Sequence, residues 1–332
     1  MKRRAFIGSL ALVGPGLIAG GRPLLMPGPA SAQGAWPQRP VTMIIPWAAG
    51  GSTANIARIV GDEMAKHLGQ PLIYEHRPGA GGALGSDLVA KARPDGHTLL
   101  IAGAGTFYRN ALEKDVPYNA ERDFALIGPV GDGPFLLVTR QNIPAENLAG
   151  LLDYGRRNPG KLTFGSAGAG STSHLTGEFF KSIAQIDMTH VAYRGSGPAM
   201  TDLLAGRIDM LFDPFPTTIE NVRGGRIRAM GVTTAARHSL GPEIPTLAEG
   251  GLPQFIIAPW WGIIGPAGVP AEAVSRLSDA LAKTLGSPEI AAALAQQGVR
   301  PFAMSPQDFE RYLRGEDTRW RGVIKQAGLS PA

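Results

Sequence analysis

The 332-residue sequence contains no cysteine, which removes disulfides, thiolate metal sites, a nucleophilic thiol and a lipidated N-terminal cysteine together. The six histidines are scattered without metal-ligand spacing, and no acidic cluster suggests Ca²⁺ or Mg²⁺. Gly-x-Gly-x-x-Gly is absent even from the glycine-dense stretches 79–85 and 165–170, so a dinucleotide has no seat. Gly155 to Lys161 has the spacing of a phosphate-binding loop, but Leu162 replaces the Mg²⁺-binding hydroxyl and the segment leads into a strand pattern. Gly-x-Ser-x-Gly is missing too, and Gly50-Gly51-Ser52-Thr53-Ala54 misses it by one residue. Neither a cofactor nor a metal is expected.

Basic runs are also lacking once the first residues are set aside. Lys2, Arg3 and Arg4 form a basic start, residues 5–18 are mostly apolar, and Pro29-Ala30-Ser31-Ala32 ends in the small-x-small pattern of a signal-peptidase site. The expectation is a signal peptide over 1–32, cut between Ala32 and Gln33, and a periplasmic mature protein. The apolar run of about 14 residues is too short for the roughly 20 that a bilayer needs. Arg3-Arg4-Ala5-Phe6 fits the core of a twin-arginine signal, and an ordinary secretory start that holds two arginines fits as well. The formal charge of +5 falls to +1 without Lys2, Arg3, Arg4 and Arg22, which leaves no case for nucleic acid or an anionic membrane as a partner.

What is present is an alternation of short apolar runs, Gly/Pro punctuation and amphipathic stretches, the grammar of βα units around a mostly parallel sheet. Strands are predicted at 41–45, 70–75, 97–102 and 135–139, with helices at 53–68 and 83–92. The same grammar restarts with helices at 148–157, 173–184 and 199–205 and strands at 162–165, 190–192, 210–212 and 227–232. A strand at 259–266 then leads into helical patterns at 271–285, 288–297 and 306–327. About 300 mature residues suit two α/β lobes. The C-terminal helices need a sheet to cover, which predicts a discontinuous first domain (33–137 and 259–332), a second domain (138–258), and a hinge of two crossovers near Leu137 and Pro259.

One local feature occurs twice. Ala49-Gly50-Gly51-Ser52-Thr53 follows the first strand, Gly168-Ala169-Gly170-Ser171-Thr172 follows the strand at 162–165, and each opens a helix. Such a turn exposes unpaired backbone N–H groups at the positive end of a helix dipole and is a ready anion seat. One copy per domain, both at the carboxyl edge of a sheet, makes a two-sided clamp for an anion. Glycines that merely permit a tight connection, with Ser or Thr as a cap, are the other reading. Gly103-Ala104-Gly105-Thr106 and Tyr193-Arg194-Gly195-Ser196-Gly197-Pro198 share the design, with Arg194 either a ligand contact or a solvated charge. His174 shares a helix face with Glu178, and either packs there or serves Ser171 as a base. Trp47, Phe107, Trp260 and Trp261 border the same cleft as wall or as core. An exported hydrolase using Ser52 or Ser171, and a binding protein feeding a signalling receptor, stand as alternatives to a transport role.

In order along the chain, Pro46-Trp47-Ala48-Ala49-Gly50-Gly51, Asn55-Ile56-Ala57-Arg58, Glu75-His76-Arg77-Pro78-Gly79-Ala80-Gly81-Gly82, Pro94-Asp95-Gly96-His97-Thr98-Leu99-Leu100, Pro159-Gly160-Lys161-Leu162, His190-Val191-Ala192-Tyr193-Arg194-Gly195 and Thr201-Asp202-Leu203-Leu204-Ala205-Gly206 resemble the substrate-binding proteins of tripartite tricarboxylate transporters, also called the Bordetella uptake family. The resemblance runs from about 36 to 328. It implies a two-lobed periplasmic flytrap, monomeric and without catalysis, that delivers a small organic acid to integral-membrane transporter subunits. It implies ligand contacts at Gly50, Gly51, Ser52 and Thr53, at Ser166, Ala167, Gly168, Ser171 and Thr172, and at Asp213; Trp47, Ala104, Thr106, His174, Tyr193, Gly195 and Ser196, from the turns and wall read above, complete the expected site. Two positions depart from the family pattern: Ala54 stands where Asp is common, and Trp47 where Phe is.

Overall fold

In a computed structural model, which describes residues 36–108 and 116–326, the chain runs β1 (Val41–Ile45), α1 (Ser52–Leu68), β2 (Leu72–His76), α2 (Ala83–Ala90), β3 (Thr98–Gly103), α3 (Ala104–Tyr108), β4 (Phe124–Asp132) and β5 (Phe135–Arg140). It continues through α4 (Leu148–Arg157), β6 (Leu162–Ser166), α5 (Thr172–Ala184), β7 (Met188–Ala192), α6 (Ser196–Leu204), β8 (Met210–Pro214), α7 (Phe215–Arg223) and β9 (Ile227–Val232). Last come β10 (Trp260–Pro266), α8 (Ala271–Leu285), α9 (Pro288–Gln296), β11 (Arg300–Pro301) and α10 (Pro306–Gln326). The predicted signal peptide and its cleavage point lie outside the described residues.

The strands form two sheets, ordered β11-β4-β10-β3-β1-β2 and β7-β6-β8-β5-β9. Each is mixed. β1 pairs β2 and β3 in parallel, as βα units require, but the returning β10 lies antiparallel between β3 and β4. In the second sheet β6 pairs β7 and β8 in parallel, and β5 lies antiparallel between β8 and β9. A strand arriving from the other lobe enters from the opposite end, which makes it antiparallel. The C-terminal block also supplies a short strand, β11, pairing Arg300 and Pro301 with the edge of β4.

Helix α1 shows how the sequence builds these layers. Ile56, Val60 and Met64 are fully buried against the first sheet, and Gly69, at φ 73°, ends the helix by donating its N–H to the Ala65 carbonyl. Fully burying each of those side chains contributes roughly 1.5–3 kcal/mol. Ala54 joins the same core. The strand switch falls at Gly133-Pro134, between β4 in one sheet and β5 in the other. Leu137 is therefore not a crossover residue; it sits inside β5, paired with Phe212 and Gly231. The return occurs at 258–259, where Ile257 still bonds to Thr233 and Trp260 already pairs with Asp132.

Candidate functional site

Both glycine-rich turns lie where predicted, β1 to α1 and β6 to α5, each at the carboxyl end of its strand. They are not equivalent. In the first, Gly51 is the N-cap and makes no side-chain capping bond, so Ser52 and Thr53 are already helical. In the second, Ser171 is the N-cap and its Oγ accepts the His174 N–H at 3.3 Å. The matching Ser-Thr pairs are thus offset by one residue, which frees the Ser52 hydroxyl for another task.

That task is contact between lobes. Ser52 Oγ lies 3.1 Å from Thr217 Oγ1, whose hydroxyl reaches Asp213 Oδ2 at 2.7 Å. The Ala48 N–H donates to the Arg194 carbonyl at 3.1 Å, and the Gly105 N–H to Thr172 Oγ1 at 3.0 Å. At Gly168, with φ 126°, an added Cβ would lie 2.8 Å from the Gly81 Cα. The lobes are therefore closed on each other.

Between them remains a cavity of about 50 Å³. The first lobe lines it with Trp47, Thr53, Gly103, Trp260 and Trp261, the second with Phe135, Ser171, Thr172 and Pro214, and the crossing segment with Pro259. No acidic or basic side chain lines it. Thr53 Oγ1 accepts the Trp261 indole N–H at 3.0 Å. The indole N–H groups of Trp47 and Trp260 are buried without a partner. A wider hollow of about 700 Å³ lies away from the cleft, lined by Phe107, Phe124, Leu126 and Arg314 among others. It borders none of the buried unpartnered groups found among the described residues.

Beneath the second turn lies a polar layer. The Gly168 N–H donates to Ser166 Oγ at 3.1 Å, and the same Oγ shares a hydrogen bond of 2.6 Å with His190 Nε2, its direction set by the imidazole tautomer. His190 stacks on His174 with ring centroids 4.0 Å apart, and His174 Nδ1 accepts the Gly170 N–H at 3.0 Å. Burial, with Lys181 nearby, lowers the His190 pKa to about 4. Burial pushes the Asp213 carboxyl up, opposed by the hydroxyls of Ser196, Thr217 and Thr218.

Residues 56–329 match the model of the tripartite tricarboxylate transporter family receptor. The chain belongs to this family. A relative from Pseudomonas sp. (strain P51), a UPF0065 protein of the tcbD–tcbE intergenic region, is 38% identical over 89% of this chain and 88% of its own. Rpa4515 from R. palustris, solved with adipate, superposes with a TM-score of 0.85 at 34% identity, covering 90% of this chain and all of that one. MatC (Rpa3494) from Rhodopseudomonas palustris, with bound malate, gives 0.83 at 32%, covering 87% and 100%. The family is one of periplasmic solute-binding proteins working with membrane transporter components, and this receptor is a two-lobed α/β solute-binding protein of that kind.

Of the receptor's predicted site residues, Trp47, Thr53, Ser171 and Thr172 line the cavity. Ser52 and Asp213 join in the chain of hydroxyls across the cleft, and Ser196 opens α6 beside them. Gly168 and Gly195 are where backbones of the two lobes touch, and Gly50 and Gly51 form the turn ahead of α1. Ala104 and Thr106 are buried in α3, where a turn was expected. Ser166, Ala167 and His174 hold the second turn from below, Ala167 donating its N–H to Ser173 Oγ at 2.9 Å. The Tyr193 hydroxyl donates to Asp202 at 2.9 Å. Sequence reasoning left Gly103, Phe135, Pro214 and Pro259 out of the site, and named Trp260 and Trp261 only as wall candidates. They stand at strand ends, a place that strand boundaries alone point to.

Proposed function

We propose that this receptor captures a small organic carboxylate between its lobes and delivers it to the membrane subunits of a tripartite tricarboxylate-type transporter, without chemistry. The observation that carries the reading is the convergence of two helix N-termini, α1 and α5, on one closed cavity without ionised side chains. Each terminus presents about half a positive charge and unpaired N–H groups. The adipate and malate held by Rpa4515 and MatC support a small acid as the ligand class. The predicted ligand-binding residues serve as clamp, wall and latch of this site. The first domain comprises the sheet with β1 and β10, the second the sheet with β5 and β6, and the hinge lies at 133–134 and 258–259. The leader 1–32 directs export and leaves a periplasmic monomer.

Absence of catalysis also belongs to the proposal. Ser166 and His190 stand at the distance of a nucleophile and its base, but Ser166 is 0% exposed and the charge that acts on the His190 pKa is the Lys181 ammonium, not an orienting carboxylate. A thermal-shift screen of the mature protein against small acids, amino acids, sugars and cations tests the whole reading. An acid at 100 times its Kd adds about 2.7 kcal/mol to stability. Stabilisation by sugars or cations alone, or ester turnover by the wild type, would overturn it.

A further inference from the structure

Five tryptophans occur in the chain, and their indole N–H groups divide cleanly. Trp36 donates to the Asp95 carbonyl at 2.8 Å, Trp261 to Thr53 Oγ1 at 3.0 Å and Trp320 to Glu316 Oε2 at 3.2 Å. Trp47 and Trp260 donate to nothing, although both N–H groups are buried, and both residues line the closed cleft. Trp260 is 1% exposed, and Phe107, Phe309 and Tyr312 pack around its ring at centroid distances of 5.6–6.5 Å. A buried donor left unmade is costly, so a protein that keeps two beside one cavity has an acceptor for them in its loaded state.

The rest of the lining narrows the kind of acceptor. Thr53 and Thr172 already receive N–H groups from Trp261 and Gly105, and Ser171 receives one from His174. The remaining surfaces are Phe135, Pro214, Pro259 and the tryptophan rings. A ligand oxygen thus finds N–H donors at the indoles and helix termini, while its carbon body meets apolar walls. Resting on the receptor reading above, we infer that Trp47 and Trp260 are ligand-binding donors that hold a carboxylate oxygen through their indole N–H groups.

Calorimetric titration of wild type and variants with butyrate, succinate and citrate tests this directly. Trp47→Phe and Trp260→Phe keep an aromatic wall without the N–H and should each weaken binding by about tenfold or more, while Trp36→Phe leaves it unchanged. In wild-type protein labelled with ¹⁵N, the indole resonances of Trp47 and Trp260 should shift downfield on saturation, with those of Trp36 and Trp320 unmoved. That readout holds even if Trp260→Phe fails to fold. Binding left unweakened by Trp47→Phe and Trp260→Phe, or unmoved Trp47 and Trp260 resonances, overturns the inference and leaves the receptor reading standing. If no mono-, di- or tricarboxylate binds at all, the receptor reading falls and takes the inference with it.

Discussion

At Gly168 a φ of 126° and a neighbour across the cleft impose two separate demands. The left-handed backbone disfavours any side chain, and a Cβ would also meet the Gly81 Cα at 2.8 Å and its N at 2.9 Å. Backbone strain alone costs of order 1–3 kcal/mol. Only the second demand opposes closure. Gly206 separates the two effects, since its φ is 70° and nothing lies within 4 Å of its Cβ position. Gly168→Ala is therefore expected to weaken ligand binding at least tenfold and Gly206→Ala to leave it unchanged, although both lower the melting temperature. Titration calorimetry beside thermal unfolding checks this, and equal affinities in the two variants would remove Gly168 from the closing contact.

At the scale of elements, the one-residue offset between the two turns predicts different fates for their serines. Ser171→Ala removes the N-cap of α5 and should cost the ligand-free protein about 1 kcal/mol. Ser52→Ala removes no cap, so its effect should fall on affinity through the lost contact with Thr217. Chemical denaturation and ligand titration of both variants separate the two roles. The His190 layer under α5 adds a pH dependence. Its folded pKa of about 4 lies below the ordinary 6.5, so the unfolded chain binds the proton more readily between those values. Stability should be complete above about pH 6.5, decline as pH falls toward 4, and change no further on this account below it. Denaturation midpoints of wild type and His190→Gln, compared across that window, isolate the term; parallel curves would refute it. The βα units were legible because their apolar runs and glycine turns follow one period at a time, and α4, α8 and β9 fall at their predicted bounds. β4 was not read, because Gly128, Pro129 and Gly131 interrupt its run and the pairing that makes it a strand comes from β10, more than a hundred residues later. Likewise α3 was read as a turn, since Gly105 and Thr106 are poor helix formers and the helix survives by burial. The clamp could be read from two turns, whereas the tryptophan wall needed the strand ends brought together in space.

For the whole molecule the decisive property is that the two lobes share one buried apolar cluster, which holds Phe309 and Trp320 of the first together with Phe164, Phe179 and Phe180 of the second. The crossing segments are themselves tied, with the Gly133 N–H donating to the Pro259 carbonyl at 3.0 Å, so the lobes swing about a laced pair rather than two free linkers. Closure brings Ala48 beside Gly195, where an added Cβ would stand 3.5 Å from that of Ala48. This separation is at the short end of the range that a disulfide spans. Since the chain has no cysteine, Ala48→Cys with Gly195→Cys would introduce the only two thiols. Gly195 holds φ 143°, so the double variant should lose of order 1–3 kcal/mol when reduced. Oxidised without ligand, it should refuse a carboxylate that the reduced form accepts; oxidised with ligand bound, it should retain that ligand through dialysis. Calorimetry with and without reductant, with mass spectrometry of the dialysed protein, reads both results. Free exchange of ligand in the oxidised form would mean that the acid enters without the lobes parting, and the clamp would have to be recast as a permanently open pocket.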